Sequence, residues 1–463
     1  MADPARIARL RQGPPAGEPR GEEPADEEEN RRCFPPAPPR APAVPAPPFP
    51  FSPADAMSTI LNGLRIVEVS AFVAAPLGGM TLAQLGAEVI RIDPIGGNID
   101  YRRWPLAPSG ASLYWASLNK GKRSVAIALD RPEGQELARA LIARPGPDAG
   151  ILLTNLPTSG WMSHDALARN RDDLITLRLT GNHDGSGAVD YTVNCASGFP
   201  LATGPGPAPV NHVLPAWDVA AGLYLATGLL AAERARRQDG KGRQVSLALS
   251  DVMLASVGNL GYIADVQVNG AVRQPIGNDL YGALGRDFAT ADGRRVMIVA
   301  ISNRQWRAIG RATGLADKFA LIGPMMDVDL DTEGGRFTAR AAIFAVLERW
   351  CAERSLAEIA AALDGTGVLW GPYRDFGQLV HEDPRCSVAN PMFATIEQPG
   401  AGPVLAPGSP LAFSGGTRLP PLPAPQLGQD TEAVLAEGLG LSTAAIGKLF
   451  AAGIVAGPSS TAF

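Results

Sequence analysis

Between residues 64 and 93 three segments follow in close succession: the apolar run LRIVEV (64–69), the helical stretch PLGGMTLAQLG (76–86) closed by Gly86, and a second apolar run, AEVIRID (87–93). Strand, helix and strand in that order make a βαβ unit, whose crossover helix sets the two strands parallel. The alternation continues with strands predicted at SVAIAL (124–129), GILLTN (150–155) and LITLRLT (174–180). Helices are predicted between them at 132–143 and 164–174. This pattern predicts an α/β fold with helices on both faces of a parallel sheet, and folds of that kind bind ligands at the carboxyl ends of their strands.

A long helix follows at 219–237, then a strand entering a helix over 240–264. Beyond it the texture changes to α+β, with paired strand signals around the turn Ala-Asp-Gly and helices at 304–314 and 339–363. The expected organisation is a large domain at 57–274, a smaller α+β domain at 275–388, and a segment at 389–463 that returns to the large domain. Residues 1–56, with the acidic run EEPADEEENRR and a proline tract, read as a disordered extension outside the fold; an upstream start ahead of Met57 would produce the same pattern. A net charge of -5 supplies no basic field for a nucleic-acid backbone. No apolar run approaches a membrane span. Cys33, Cys195, Cys351 and Cys386 are too scattered for a disulfide framework or a zinc site, which fits reduced thiols in a cytoplasm.

Few motifs carry chemistry by spacing alone. The loop after the first strand, SAFVAAPLGGM, lacks the G-x-G-x-x-G spacing of a dinucleotide site, though its small residues allow close approach to the backbone or tight helix packing. Asp93 ends the second strand, either as a ribose ligand or as a terminator. Lys120, Lys122 and Arg123 bunch beside Gly121, as a phosphate site or a solvated turn. The four histidines form no metal array, and no serine nucleophile elbow is present. Asp218, in NHVLPAWDVAAGLYLATGLL, reads first as a helix N-cap, with no capping box because Ala221 stands three residues on. The alternative is a reactive carboxylate at a helix start, and His212 lies near enough for a loop to fold it back.

Longer segments add what spacing does not. LNGLRIVEVSAFVAAPLGGMTLAQLGAEVIRIDPIGG (61–97), NKGKRSVAIALDRPEGQEL (119–137), the aspartate-led helix, GKGRQVSLALSDV (240–252) and LGQDTEAVLAEGLGLS (427–442) together resemble the family III CoA-transferases. VDYTVN (189–194), NHVLPAWD (211–218), LYGALGRDF (280–288) and NPMF (390–393) resemble the branch that moves CoA between the two carboxyls of one methyl-branched dicarboxylic acid. The resemblance implies a Rossmann-like large domain, a small α+β domain and an interlocked homodimer. It implies an acyl-CoA thioester of a C4 or C5 dicarboxylic acid as substrate, no cofactor beyond the CoA that enters with it, no metal, and neither nucleic-acid nor membrane partners. Asp218 aligns with the family's catalytic aspartate. The backbone of Phe72, Val73 and Ala74, with Asn155 and Leu156, aligns with loops that contact CoA. Relatives often place a basic residue after the second strand, but Pro94 stands here, leaving Arg91, Lys120, Lys122 or Arg123 to meet the phosphates. Transfer between two separate acids, an α-methylacyl-CoA racemase and a non-catalytic acyl-CoA binder are the alternatives. The racemase branch needs a histidine where this chain has Val189.

Overall fold

The computed structural model describes residues 59–414 and 418–458; the extension expected over 1–56 lies outside them. The first half alternates as the apolar runs require. Strand β1 (Arg65–Val69) leads into α1 (Ala74–Ala83), β2 (Glu88–Asp93), α2 (Leu113–Leu118), β3 (Arg123–Ile127), α3 (Pro132–Ile142), β4 (Ile151–Thr154), α4 (His164–Ala168) and β5 (Ile175–Thr180). Then come α5 (Asp190–Cys195), α6 (Phe199–Ala202), the 24-residue α7 (Ala216–Asp239), β6 (Arg243–Ala248), α8 (Leu249–Asn259) and α9 (Tyr262–Asn269). Because β1 to β4 are almost wholly buried, they read as continuous apolar runs rather than as alternating ones.

These strands form one sheet in the order β3-β2-β1-β4-β5-β6, all parallel. The order reverses direction between β1 and β4, so the loops leaving those two strands part and open a crevice. A short strand β12 (Val455–Ala456) closes the far edge, antiparallel to β3. The chain reaches it through residues stitched to β3: Asp430 Oδ2 accepts the Ser124 N–H at 2.8 Å, and Thr431 Oγ1 accepts the Ala126 N–H at 3.2 Å.

A second apolar core, built around Trp306, Phe319, Phe344 and Trp350, lies on an antiparallel sheet of β7 (Leu284–Ala289), β8 (Arg295–Ala300) and β9 (Leu369–Pro372). Strands β10 (Phe393–Gln398) and β11 (Gly402–Pro407) form a separate hairpin.

Several expected boundaries move, each for a local reason. The helix expected over 339–363 breaks in two because Ser355 and Glu358 form a capping box that starts a new helix. The 164–174 helix stops at Ala168, and the following turn is pinned by Arg171, whose guanidinium bonds the Gly146 carbonyl at 2.8 Å and the Asp173 carboxylate at 3.0 Å. The helix after β6 breaks at Gly261, which takes a left-handed φ of 84°.

Candidate active site

The crevice is built first from backbone. Leaving β1, Ala71 is clamped by Asn155 at the end of β4: its N–H donates to Asn155 Oδ1 at 2.9 Å, and its carbonyl accepts from Asn155 Nδ2 at 2.7 Å. Phe72 then adopts a left-handed φ of 66°, a conformation that costs a non-glycine residue about 1–2 kcal/mol. Its N–H is held by Asp100 Oδ2 at 2.8 Å, which offsets that cost. The turn delivers the chain into α1 with no side-chain cap, and the Val73, Ala74 and Ala75 N–H groups donate to no described residue. Open amides at a helix start favour a negative charge in front of them. Leu156 points elsewhere: its N–H bonds Thr154 Oγ1 and its side chain packs into the apolar layer below.

Beneath this loop lies a buried charged cluster. Arg91, fully buried on β2, reaches Asp93 at 2.8 Å, Glu68 at 3.2 Å and Asp100 at 3.5 Å, while Lys122 bonds Glu68 at 2.8 Å. Burial alone would lower the Arg91 pKa, but the Asp93 and Glu68 carboxylates turn the balance and raise it. Burial lowers Lys122 to about 8 against the pull of Glu68. This overturns the phosphate expectation for these residues. Arg91 and Lys122 are spent inside, Lys120 is buried and donates to the Ser117 carbonyl at 2.7 Å, and Arg123 is paired with Glu88 and Glu437. Asp93 is neither a ribose ligand nor a simple strand end, because it holds Arg91, Asn98 and the Tyr101 hydroxyl.

The same cluster explains the paired glycines of α1. A Cβ on Gly79 would stand 1.8 Å from Glu68 Oε2, so only glycine leaves room for the ion cluster. Gly78 faces the opposite way, where an added Cβ would stand 3.0 Å from the Gly222 carbonyl; one on Gly222 would be 2.8 Å from that of Ala74. Helices α1 and α7 therefore touch backbone to backbone at Gly78 and Gly222, one turn beyond Asp218, and the Arg103 charge reaches both Asp218 and the Phe72 ring.

Asp218 is not the helix cap. Helix α7 begins at Ala216 after Pro215, which makes Asp218 its third residue, and its carboxylate accepts no hydrogen bond from a described residue. The cap comes from a distance: Asp190 Oδ2, on α5, accepts the N–H of Trp217 at 2.7 Å and of Asp218 at 3.0 Å. The Ala216 and Val219 amides bond the Leu214 and Pro215 carbonyls, so the α7 start has no amide left for an oxyanion. Burial, then the charge of Asp190, raise the Asp218 pKa to about 6, with Arg103 pulling the other way.

Two further residues face this carboxylate that spacing did not single out, Arg103 and Tyr114. The Arg103 guanidinium lies 5.1 Å over the Phe72 ring and 4.5 Å over the Tyr114 ring, and pairs with no described carboxylate. The Tyr114 hydroxyl is buried without a partner, and burial raises its pKa to about 12, with the charges of Asp218 and Arg103 acting in opposite senses. Val189, exposed at the start of α5, puts an apolar side chain next to Asp190. No hydrogen bond joins His212 to Asp218, and its Nδ1 is buried without a partner. No group of His, Cys, Asp and Glu among the described residues is arranged to hold a metal.

The family described as CoA-transferase family III matches residues 61–431. Over 409 residues the chain is 55% identical to 2-methylfumaryl-CoA isomerase of Chloroflexus aurantiacus, covering 88% of this chain and 100% of that protein. It is 25% identical to human succinyl-CoA:glutarate CoA-transferase over 85% of this chain and 90% of that one. Its fold is similar to that of a CaiB/BaiF family protein from Brucella suis, with a TM-score of 0.68 and 24% identity over 82% of this chain and 99% of that chain.

Proposed function

The chain belongs to CoA-transferase family III, and from that premise we propose that it converts 2-methylfumaryl-CoA, the C1 thioester of mesaconate, into 3-methylfumaryl-CoA, the C4 thioester. The observation that carries this reading is 55% identity to an isomerase of that substrate along its entire length, joined to the half-buried Asp218 carboxylate, which accepts no hydrogen bond from a described residue. CoA enters as part of the substrate, and the reaction asks for no cofactor.

In this mechanism the Asp218 carboxylate attacks the C1 thioester carbonyl, forming a mixed anhydride and releasing CoA thiolate. The thiolate attacks the Asp218 carbonyl carbon, leaving an aspartyl-CoA thioester and free mesaconate. The C4 carboxylate of mesaconate attacks that thioester and again releases the thiolate. Attack of the thiolate on the C4 acyl carbon yields the C4 thioester and restores the Asp218 carboxylate. No proton is gained or lost, so the mechanism asks for no histidine hydrogen-bonded to the nucleophile. The open amides of Val73, Ala74 and Ala75 are the donors that best fit a developing oxyanion, since those of α7 are taken by Asp190 and nearby carbonyls. Backbone contacts to CoA at Phe72, Val73 and Ala74 belong to this proposal. Asn155 serves it by holding Ala71, and Leu156 by anchoring the β4 loop in the core.

A homodimer and a cytoplasmic location complete the proposal. Helix α9 has no buried residue, and Ile263, Val266 and Val268 stand exposed along it with Leu260 just before it, an apolar surface suited to a second copy. Cys195, Cys351 and Cys386 are free thiols, and no described helix is long and apolar enough to cross a membrane. The test is to mix the protein with mesaconyl-C1-CoA and separate the products by liquid chromatography and mass spectrometry. The C4 isomer is expected without added acid, and its absence, with or without free dicarboxylic acids, removes the reading. Label from added free mesaconate appearing in the product thioester would show transfer between separate acids instead.

A further inference from the structure

We propose that Arg103 and Tyr114 form the subsite for the carboxylate that is not being activated, the free end of the dicarboxylic acyl group; this rests on the functional reading above. Arg103 follows directly on the 3-10 turn Ile99–Arg102, whose Asp100 holds Phe72, and its guanidinium is seated on the rings of Phe72 and Tyr114. A guanidinium resting on aromatic rings keeps its N–H donors in its own plane, where they match the two oxygens of a carboxylate. In this chain nothing fills that role: Arg103 donates no side-chain hydrogen bond and makes no ion pair within 4 Å to a described residue. The Tyr114 hydroxyl, buried and without a partner, supplies a third donor at the same place. The Arg103 charge reaches the Asp218 carboxylate as well as the Tyr114 hydroxyl, and pulls both pKa values down against burial.

The placement suits the reaction. In the C1 thioester the C4 carboxylate is free, and in the C4 thioester the C1 carboxylate is free. One fixed anchor facing one nucleophile therefore serves both ends of the same acid in turn. Between the two transfers Asp218 is a neutral thioester and mesaconate a dianion, so the Asp218 charge no longer offsets the attraction of Arg103. The anchor then holds the acid while its ends exchange. Two acidic groups close by are engaged through one oxygen each, Asp100 Oδ2 with Arg91 and Phe72, and Asp190 Oδ2 with the start of α7.

A binding cycle tests this without relying on turnover. In the inactive Asp218→Asn background, with and without Arg103→Gln, calorimetry measures the affinity for mesaconyl-C1-CoA and for crotonyl-CoA, which lacks the second carboxylate. Arg103→Gln is expected to weaken the dicarboxyl thioester by about 10- to 100-fold, the range for a charged hydrogen-bonded contact. Crotonyl-CoA should change by less than about threefold on the same scale, which also reports that the variant is folded. Equal weakening of both thioesters, or of neither, overturns the subsite. Wild-type protein assayed in parallel for the C4 isomer tests the functional reading separately, because an anchor for the free carboxylate would show in the binding cycle even if no isomer formed.

Discussion

A carboxylate must be ionised to attack a thioester, yet burial beside Asp190 holds Asp218 at about 6. Most of it is therefore charged near neutrality, and protonation removes the nucleophile as the pH falls through that value. The rate, kcat/KM for the C1 thioester, should show an acidic limb near pH 6. Asp190→Asn keeps an oxygen to cap α7 and removes a negative charge, so the limb should move toward the ordinary aspartate value of 3.8 with little loss of stability. Asp190→Ala should move it in the same direction and also cost about 1 kcal/mol in denaturant unfolding, for want of a cap. A limb that stays in place in both variants would show that Asp190 does not set the charge state of Asp218. Spacing alone made Asp218 a cap, and that reading fails for a reason no local window contains. The helix begins two residues before Asp218, and the amides at its true start are held by Asp190, 28 positions upstream of Asp218. Arg103 and Tyr114 were equally hidden, since nothing in YRRWP or SLYW says that the Arg103 guanidinium lies over the rings of Tyr114 and Phe72.

At the scale of elements, the helices and strands of the large sheet were legible because their apolar periods are long and unbroken. Other pieces were not: α2 and α5 have six residues each, too few for a helical period to declare itself, and β9 and β11 carry Gly and Pro in place of an unbroken apolar run. The glycines of α1 and α7 show how finely packing divides similar letters. Gly222 and Gly228 stand on the same helix, but of the two only Gly222 meets backbone. A Cβ on Gly228 would find Leu177 Cδ2 at 3.7 Å, an ordinary contact. Gly79→Ala should therefore destabilise the protein by about 1–3 kcal/mol, because the new methyl displaces Glu68 from its buried cations. Gly228→Ala should be neutral or stabilising by up to about 1 kcal/mol, through helix propensity. Urea unfolding of the two variants checks the contrast, and equal effects would contradict the packing argument.

For the molecule as a whole, the parallel sheet was legible from the order of elements, and the crevice followed from the reversal of strand order between β1 and β4. The closing strand β12 was not, since two residues carry no pattern of their own. The exposed apolar length of α9 predicts that light scattering at micromolar concentration returns the mass of two chains, and that Val266→Asp shifts it toward one; a single-chain mass for the unaltered protein would contradict the homodimer. The central claim, a covalent exchange through Asp218, leaves a mark that can be read directly. With enzyme in excess over mesaconyl-C1-CoA carrying oxygen-18 in its C4 carboxylate, a single turnover should leave one heavy oxygen in the Asp218 peptide, because C4 attacks the aspartyl thioester through one of its own oxygens. Formation of the C4 thioester with an unlabelled Asp218 peptide would contradict the account.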